Sequence, residues 1–228
     1  MPMDIFKMGD EWEALRWTLV AISLLGASAY QMLESHPADT LRTVLKTIAI
    51  SALAPLPLLN LWDGPTFALF ALVLALGFGS LGDFYLSLKN DSIYFKRGLI
   101  AFLVGHIFYL IVMVPHIGTP SALQLTGMVA LAAISGGTCI WLTPKLGNYK
   151  VPVWAYMGVI SAMALVALTM PSPLTGLGAL LFVFSDAIIA INRFARPVPA
   201  RGPIVWITYY VGQWLLGISL LLMLAHQS

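Results

Sequence analysis

Charge is what this sequence lacks most. Lysine, arginine, aspartate and glutamate together make up 10% of its 228 residues, against about 25% in soluble domains. No soluble domain of useful size is left over. The net charge of +2 is too small to argue for a nucleic-acid partner. There is one cysteine, Cys139, and it lies in an apolar run, so no intrachain disulfide forms and the redox compartment is unreadable. The stretch from Met1 to Glu13 carries four acidic residues and no apolar core, so it does not read as a cleavable signal peptide. The first span is expected to act as the insertion signal.

What the chain does have is hydrocarbon: 59% hydrophobic residues and a mean hydropathy of +0.87. This predicts an all-α integral membrane bundle, a single transmembrane domain over 1–228. A spanning helix needs about 20 apolar residues. Eight segments qualify: about 12–33, 40–59, 66–87, 95–114, 121–142, 151–170, 173–193 and 203–225. Helix breakers separate them: Ser35-His-Pro37, Asp63-Gly-Pro65, Lys89-Asn-Asp91, Pro115 to Pro120, Pro144 to Asn148, Pro171-Ser-Pro173 and Arg196-Pro-Val-Pro199. The second segment is the most interrupted, by Lys46, Pro55 and Pro57.

Ten of the twelve lysines and arginines fall after odd-numbered segments or at their adjoining ends; Lys7 and Arg16 are the exceptions. The positive-inside rule then puts those connections in the cytoplasm and both termini outside. Asp83 precedes His106 by 23 residues and Asp186 precedes Tyr209 by the same number, and Leu81-Gly-Asp-Phe-Tyr-Leu86 loosely matches Phe184-Ser-Asp-Ala-Ile-Ile189. Two parallel four-helix repeats are one explanation, chance the other.

Of ten acidic residues only Asp83 and Asp186 lie well inside segments; of four histidines only His106 is deep; Lys46 is the only lysine clearly inside one. A carboxylate in a membrane helix costs a few kcal/mol even on lenient scales, so it needs a partner, a proton or a job. At about 1.5 Å per residue, Asp83 and Asp186 lie roughly 9–10 Å from the cytoplasmic end, with Lys46 and Tyr210 at similar depth. Phe102, Gly105, His106 and Tyr109 fall on one helical stripe. So do Trp206, Tyr210, Gln213 and Gly217, with Tyr209 flanking; Ser185 and Asn192 share a face beside Asp186 and Arg193. Structural readings stand next to functional ones. Gln213, Ser185, Asn192 and Tyr109 suit interhelical hydrogen bonding, Tyr209 and Tyr210 an interfacial belt, Lys46 snorkelling to the headgroups or pairing with either aspartate, and His106 a buried structural site. For the two aspartates together the functional reading is preferred. Their spacing from His106 carries no metal signature, and no metal or cofactor is expected.

These residues resemble the YhhN-like lysoplasmalogenase family of membrane hydrolases. The matching pieces are Lys46, Gly82-Asp83-Phe-Tyr-Leu86, Gly105-His106-Ile-Phe-Tyr109, Val153-Trp-Ala-Tyr156, the run from Gly178 through Ser185, Asp186 and Asn192 to Phe194, and Thr208-Tyr209-Tyr210-Val-Gly-Gln213. They occur in the family's order and cover nearly the whole chain. Thr47 departs from it, since the family usually has proline after the lysine. The resemblance implies eight spans, a lysophospholipid substrate taken from among membrane lipids, and hydrolysis of the vinyl ether bond of lysoplasmalogens to a fatty aldehyde and glycerophosphoethanolamine or glycerophosphocholine. It implies catalysis by Asp83 and Asp186, with Lys46, His106, Tyr109, Tyr156, Ser185, Asn192, Tyr209, Tyr210 and Gln213 around the substrate. In a bacterium the location would be the inner membrane. A vinyl ether is stable to base and labile to acid, so the site needs one protonated carboxyl group and one negative group to stabilise the cation, an arrangement analogous to that of glycosidases. Arg193, close to Asp186 in sequence, favours an ionised Asp186 and makes Asp83 the expected acid. The alternative from another class is a proton-coupled carrier of a lipid-like or small amphipathic molecule.

Overall fold

The computed structural model describes residues 9–37, 39–60, 66–88 and 92–225. The breakers Asp63-Gly-Pro65 and Lys89-Asn-Asp91, as well as Asp4, Lys7 and His226, lie outside the described residues. Eight α-helices are present among the described residues: α1 Glu13–Leu33, α2 Thr40–Ser51, α3 Phe67–Ser87, α4 Ser92–Met113, α5 Ala122–Leu142, α6 Lys150–Ala167, α7 Pro173–Phe194 and α8 Arg201–Ala225. No strand occurs among these residues. Each helix falls on one of the eight segments read from hydropathy.

Local chemistry sets the boundaries. Asp39 starts α2 by accepting a hydrogen bond from the Arg42 backbone N–H at 2.8 Å, and Thr66 does the same for α3 through Leu69. Ser121 and Gln124 form a reciprocal capping box at the start of α5. Pro173 opens α7, where a missing N–H costs nothing.

Six helices, α3 to α8, are long and apolar enough to cross a membrane, and the chain is a multi-pass membrane protein. Their outward surface is hydrocarbon: Leu123 is 82% exposed and Ile140 is 76% exposed, as suits side chains that face lipid. The second segment departs from expectation. Instead of a helix over 40–59, regular α-helix stops at Ser51, and turns lead to a short 3₁₀ segment, Leu58–Asn60. Pro55 and Pro57 supply no N–H to continue the ladder. Twelve residues rise only about 18 Å, well short of the roughly 30 Å of hydrocarbon.

The chain forms two compact units, Met1–Val112 with Gly217–Ser228, and Met113–Leu216. Within the first, α2 packs between α1 and α3. Ser23 of α1 donates to the Ala49 carbonyl and Ser80 of α3 donates to the Thr47 carbonyl at 3.1 Å. Arg16 is fully buried in this unit. It is ion-paired with Asp10, and its Nε and Nη2 donate to the Leu59 carbonyl at 3.1 and 2.7 Å. Within the second unit, α6 packs against both α5 and α7. The crossing of α7 and α8 is close: a Cβ on Gly178 would lie 2.8 Å from the Leu216 nitrogen and 2.9 Å from the Gly212 oxygen.

Candidate active site

Asp83 sits on α3 in the first unit and is 1% exposed. Lys46, from α2, places its Nζ 3.1 Å from Asp83 Oδ1. Of the partners left open by the sequence, the lysine has Asp83. Its ammonium also lies 5.9 Å from the centre of the Tyr30 ring, which the Arg42 guanidinium covers at 5.6 Å. Tyr30 escaped the sequence reading because a tyrosine near the end of a span looks like an interfacial residue; only the contact reveals it.

Helix α4 approaches the same part of α3. Beside Asp83, a Cβ on Gly82 would meet the Phe102 ring at 2.6 Å, and one on Gly105 would lie 3.0 Å from the Ala75 carbonyl. These two glycines permit an approach that any side chain would block. Gly77, five residues before Gly82 on α3, has nothing within 4 Å of where a Cβ would stand. The stripe Phe102, Gly105, His106 and Tyr109 is buried throughout, as its spacing predicts.

Asp186 sits on α7 in the second unit. The Tyr156 hydroxyl, from α6, donates to Asp186 Oδ2. Ser185 Oγ lies 3.3 Å from Oδ1 and 2.8 Å from the Phe182 carbonyl. Tyr156 is only 6% exposed, while Asp186 is half-buried. The Arg193 guanidinium rests over the rings of Tyr149 and Phe194 at 5.5 and 5.9 Å. Asn192 Oδ1 accepts from the Val198 backbone N–H at 3.1 Å and ties the turn after α7.

The α8 residues also belong to the second unit as far as Leu216. The buried stripe there runs through Trp206, Tyr209, Gln213 and Leu216, while Tyr210 is half-buried. The stripe is therefore centred on Tyr209, which the sequence reading placed at its flank. The Tyr209 ring meets Phe182 edge-on at 5.1 Å, and its hydroxyl accepts from Gln213 Nε2 at 3.3 Å. Tyr210 accepts from Trp214 Nε1 at 2.8 Å. Burial of Tyr209 is not what an interfacial belt requires.

The two centres share a plan. In each unit the aspartate lies on the third of four successive helices and takes a partner from the second. Lys46 is the seventh residue of α2, counted from Thr40, and Tyr156 the seventh of α6, counted from Lys150. One aspartate thus has a cationic partner and the other a neutral hydroxyl.

The sequence model of the YhhN family matches residues 41–220 of this chain. The chain belongs to the YhhN family. This YhhN-family chain is 32% identical over 151 residues to a lysoplasmalogenase of Mycobacterium tuberculosis, covering 64% of this chain and 58% of that protein. It is 35% identical over 153 residues to the human lysoplasmalogenase TMEM86A, covering 62% and 61%. A pig protein, lysoplasmalogenase TMEM86B, is 34% identical over 126 residues, covering 55% and 53%. The chain spans about three-fifths of the length of the first two relatives. No solved structure matches it.

Proposed function

We propose that this YhhN-family protein is a lysoplasmalogenase, which takes a lysophospholipid from the bilayer and hydrolyses its vinyl ether bond. The products are a fatty aldehyde and glycerophosphoethanolamine or glycerophosphocholine. One observation carries the reading: the family match over 41–220, with relatives that bear this activity as their name. Those names are of enzymes, which speaks against the carrier alternative.

The chemistry calls for two unlike carboxyl groups. A proton is delivered to the β-carbon of the vinyl ether, leaving an oxocarbenium ion. Water adds to that cation and loses a proton, giving a hemiacetal. The hemiacetal collapses to aldehyde and alcohol. In this mechanism Asp83 is the carboxylate and Asp186 the acid. The Lys46 ammonium at 3.1 Å supports the first assignment. The second is supported by the hydroxyl partners of Asp186. Ser185 has one proton and gives it to the Phe182 carbonyl, so its oxygen is an acceptor for a carboxylic acid at Oδ1. These roles reverse those favoured by the sequence, because the cation beside a carboxylate is Lys46 and not Arg193. Unequal surroundings for paired carboxyl groups are how acid and base roles are separated. His106, Tyr109, Tyr209, Tyr210 and Gln213 complete the surroundings of the substrate.

The shared plan of α1–α4 and α5–α8 supports descent from two parallel four-helix repeats. The charge bias supports termini outside the cytoplasm, and in a bacterium the inner membrane. Reporter fusions after Lys145 and Arg196 then read cytoplasmic; a signal from the other side overturns the orientation. The decisive experiment adds a lysoplasmalogen to the detergent-purified protein in heavy water. Aldehyde carrying one deuterium at its α-carbon is expected. No aldehyde refutes the activity, and unlabelled aldehyde refutes carbon protonation.

A further inference from the structure

Helix α2 has two unlike faces. Arg42 and Lys46 leave one face towards Tyr30 and Asp83. The opposite face lines a groove of about 660 Å³ against the C-terminal end of α3. Its hydroxyls stand at Thr40, Thr43, Thr47 and Ser51, spacings of three, four and four that make one stripe. Ser87 faces them from α3, with Val44, Ile48 and Phe84 supplying apolar wall. Val44 is 50% exposed and Phe84 39%, so the groove opens outward, on surface that meets lipid.

Three of the five hydroxyl protons are already committed. Thr43 Oγ1 donates to the Asp39 carbonyl at 3.0 Å, Ser51 Oγ to the Ile48 carbonyl at 3.5 Å and Ser87 Oγ to the Asp83 carbonyl at 2.7 Å. What they present to the groove is lone pairs. Thr47 Oγ1 is buried and has no hydrogen-bond partner among the described residues, which is costly unless a ligand completes it. Asp39 adds a carboxylate at the mouth, and among the described residues no lysine or arginine lines the groove. A wall of acceptors with one negative charge fits an ammonium that carries N–H donors. A trimethylammonium has none to give, and a bare phosphate is the wrong sign.

We propose that the α2–α3 groove binds a single-chain lipid by its head group and selects a primary ammonium, as in an ethanolamine head group, over a trimethylammonium. Val44, Ile48 and Phe84 then lie along its chain. This rests on the reading of the protein as an enzyme of lysolipids, and it names the head group that the reading leaves open.

The test uses the full chain in detergent with two non-cleavable probes, lysophosphatidylethanolamine and lysophosphatidylcholine, each with a diazirine in the acyl chain. Labelling is expected within 40–51 and 84–88, and the ethanolamine probe should label about tenfold more, the order expected for one hydrogen bond to a charged group. Thr47→Val, which keeps the volume but removes the hydroxyl, should bring the ethanolamine probe towards the choline level. Should that variant fail to fold, the comparison of the two probes on the wild type decides. Equal labelling by both probes, or labelling confined to other segments, overturns the proposal. Aldehyde release measured on the same preparation separates the two ideas. Release without groove labelling removes this proposal alone, whereas groove labelling without release removes the lysoplasmalogenase reading and leaves the groove standing.

Discussion

Replacing Lys46 with methionine isolates the contribution of one ion pair. The substitution keeps the length and apolar stem of the side chain and removes its charge. Asp83 is 1% exposed, so its carboxylate is left without the ammonium that stood at 3.1 Å. Removing one partner of a buried pair costs about 3–5 kcal/mol. A ceiling exists, because the stranded carboxylate can take up a proton instead. From an ordinary aspartate value, that uptake costs about 4 kcal/mol at pH 7 and about 1.5 kcal/mol at pH 5. Lys46→Met should therefore destabilise the protein by about 3–4 kcal/mol at pH 7 and by about 1.5 kcal/mol at pH 5. The double variant Lys46→Met/Asp83→Asn should regain most of the lost stability without regaining activity. Unfolding in mixed micelles of increasing SDS content, followed by the fluorescence of the seven tryptophans, measures all three proteins. A single variant as stable as wild type at pH 7, a loss that does not shrink at pH 5, or a double variant no better than the single would each refute the ion pair as described.

The remaining predictions concern activity and packing. Asp83→Asn and Asp186→Asn should each lower turnover of a lysoplasmalogen, the activity proposed above, by about 10²–10⁴-fold, the usual worth of general acid–base help, with the helical circular dichroism unchanged; near-normal turnover in both would end the two-aspartate mechanism. Tyr156→Phe removes the hydroxyl that donates to Asp186 and should lower kcat more than it raises KM, by about 3–10-fold if one neutral hydrogen bond is lost. The same change should move the pH profile of kcat, which a purely structural tyrosine would leave in place. Gly178→Ala should destabilise the protein by about 1–3 kcal/mol, because the new Cβ falls 2.8 Å from the backbone nitrogen of Leu216; unfolding at the wild-type SDS content would contradict that close crossing.

The helix positions were legible because proline, glycine and charge interrupt an otherwise apolar chain. Hydropathy failed at 52–60, where the residues are apolar enough to span but Pro55 and Pro57 forbid the hydrogen bonds. The two deep aspartates were equally legible, since a carboxylate in a membrane helix is conspicuous by cost. Their partners were not. Periodicity assigns a residue to a face of its own helix and says nothing of which helix that face meets, so it leaves Lys46 between two aspartates and points to Tyr156 only through a family motif. Arg16 was counted merely as a charge on the outer side. An arginine four residues into an apolar helix could have signalled more, because it must find acceptors, and it finds them in Asp10 and the Leu59 carbonyl.

The brevity of α2 bears on how the protein is made. A helix of twelve residues with two cations is a poor candidate for partitioning into lipid by itself, since each lysine or arginine near a helix centre costs about 2.5–3.5 kcal/mol at insertion. Its anchors are supplied by neighbours on both sides in the chain: Ser23 before it, and Ser80 and Asp83 after it. From this packing, α2 should enter the membrane only as the middle member of a trio. A nascent chain halted after Asn60 should leave Lys46 accessible to water-borne amine reagents, and one extended past Ser87 should hide it. On this view the carboxylate proposed for catalysis serves the ribosome-bound chain first, as the counter-charge that draws its half-length helix into the bilayer.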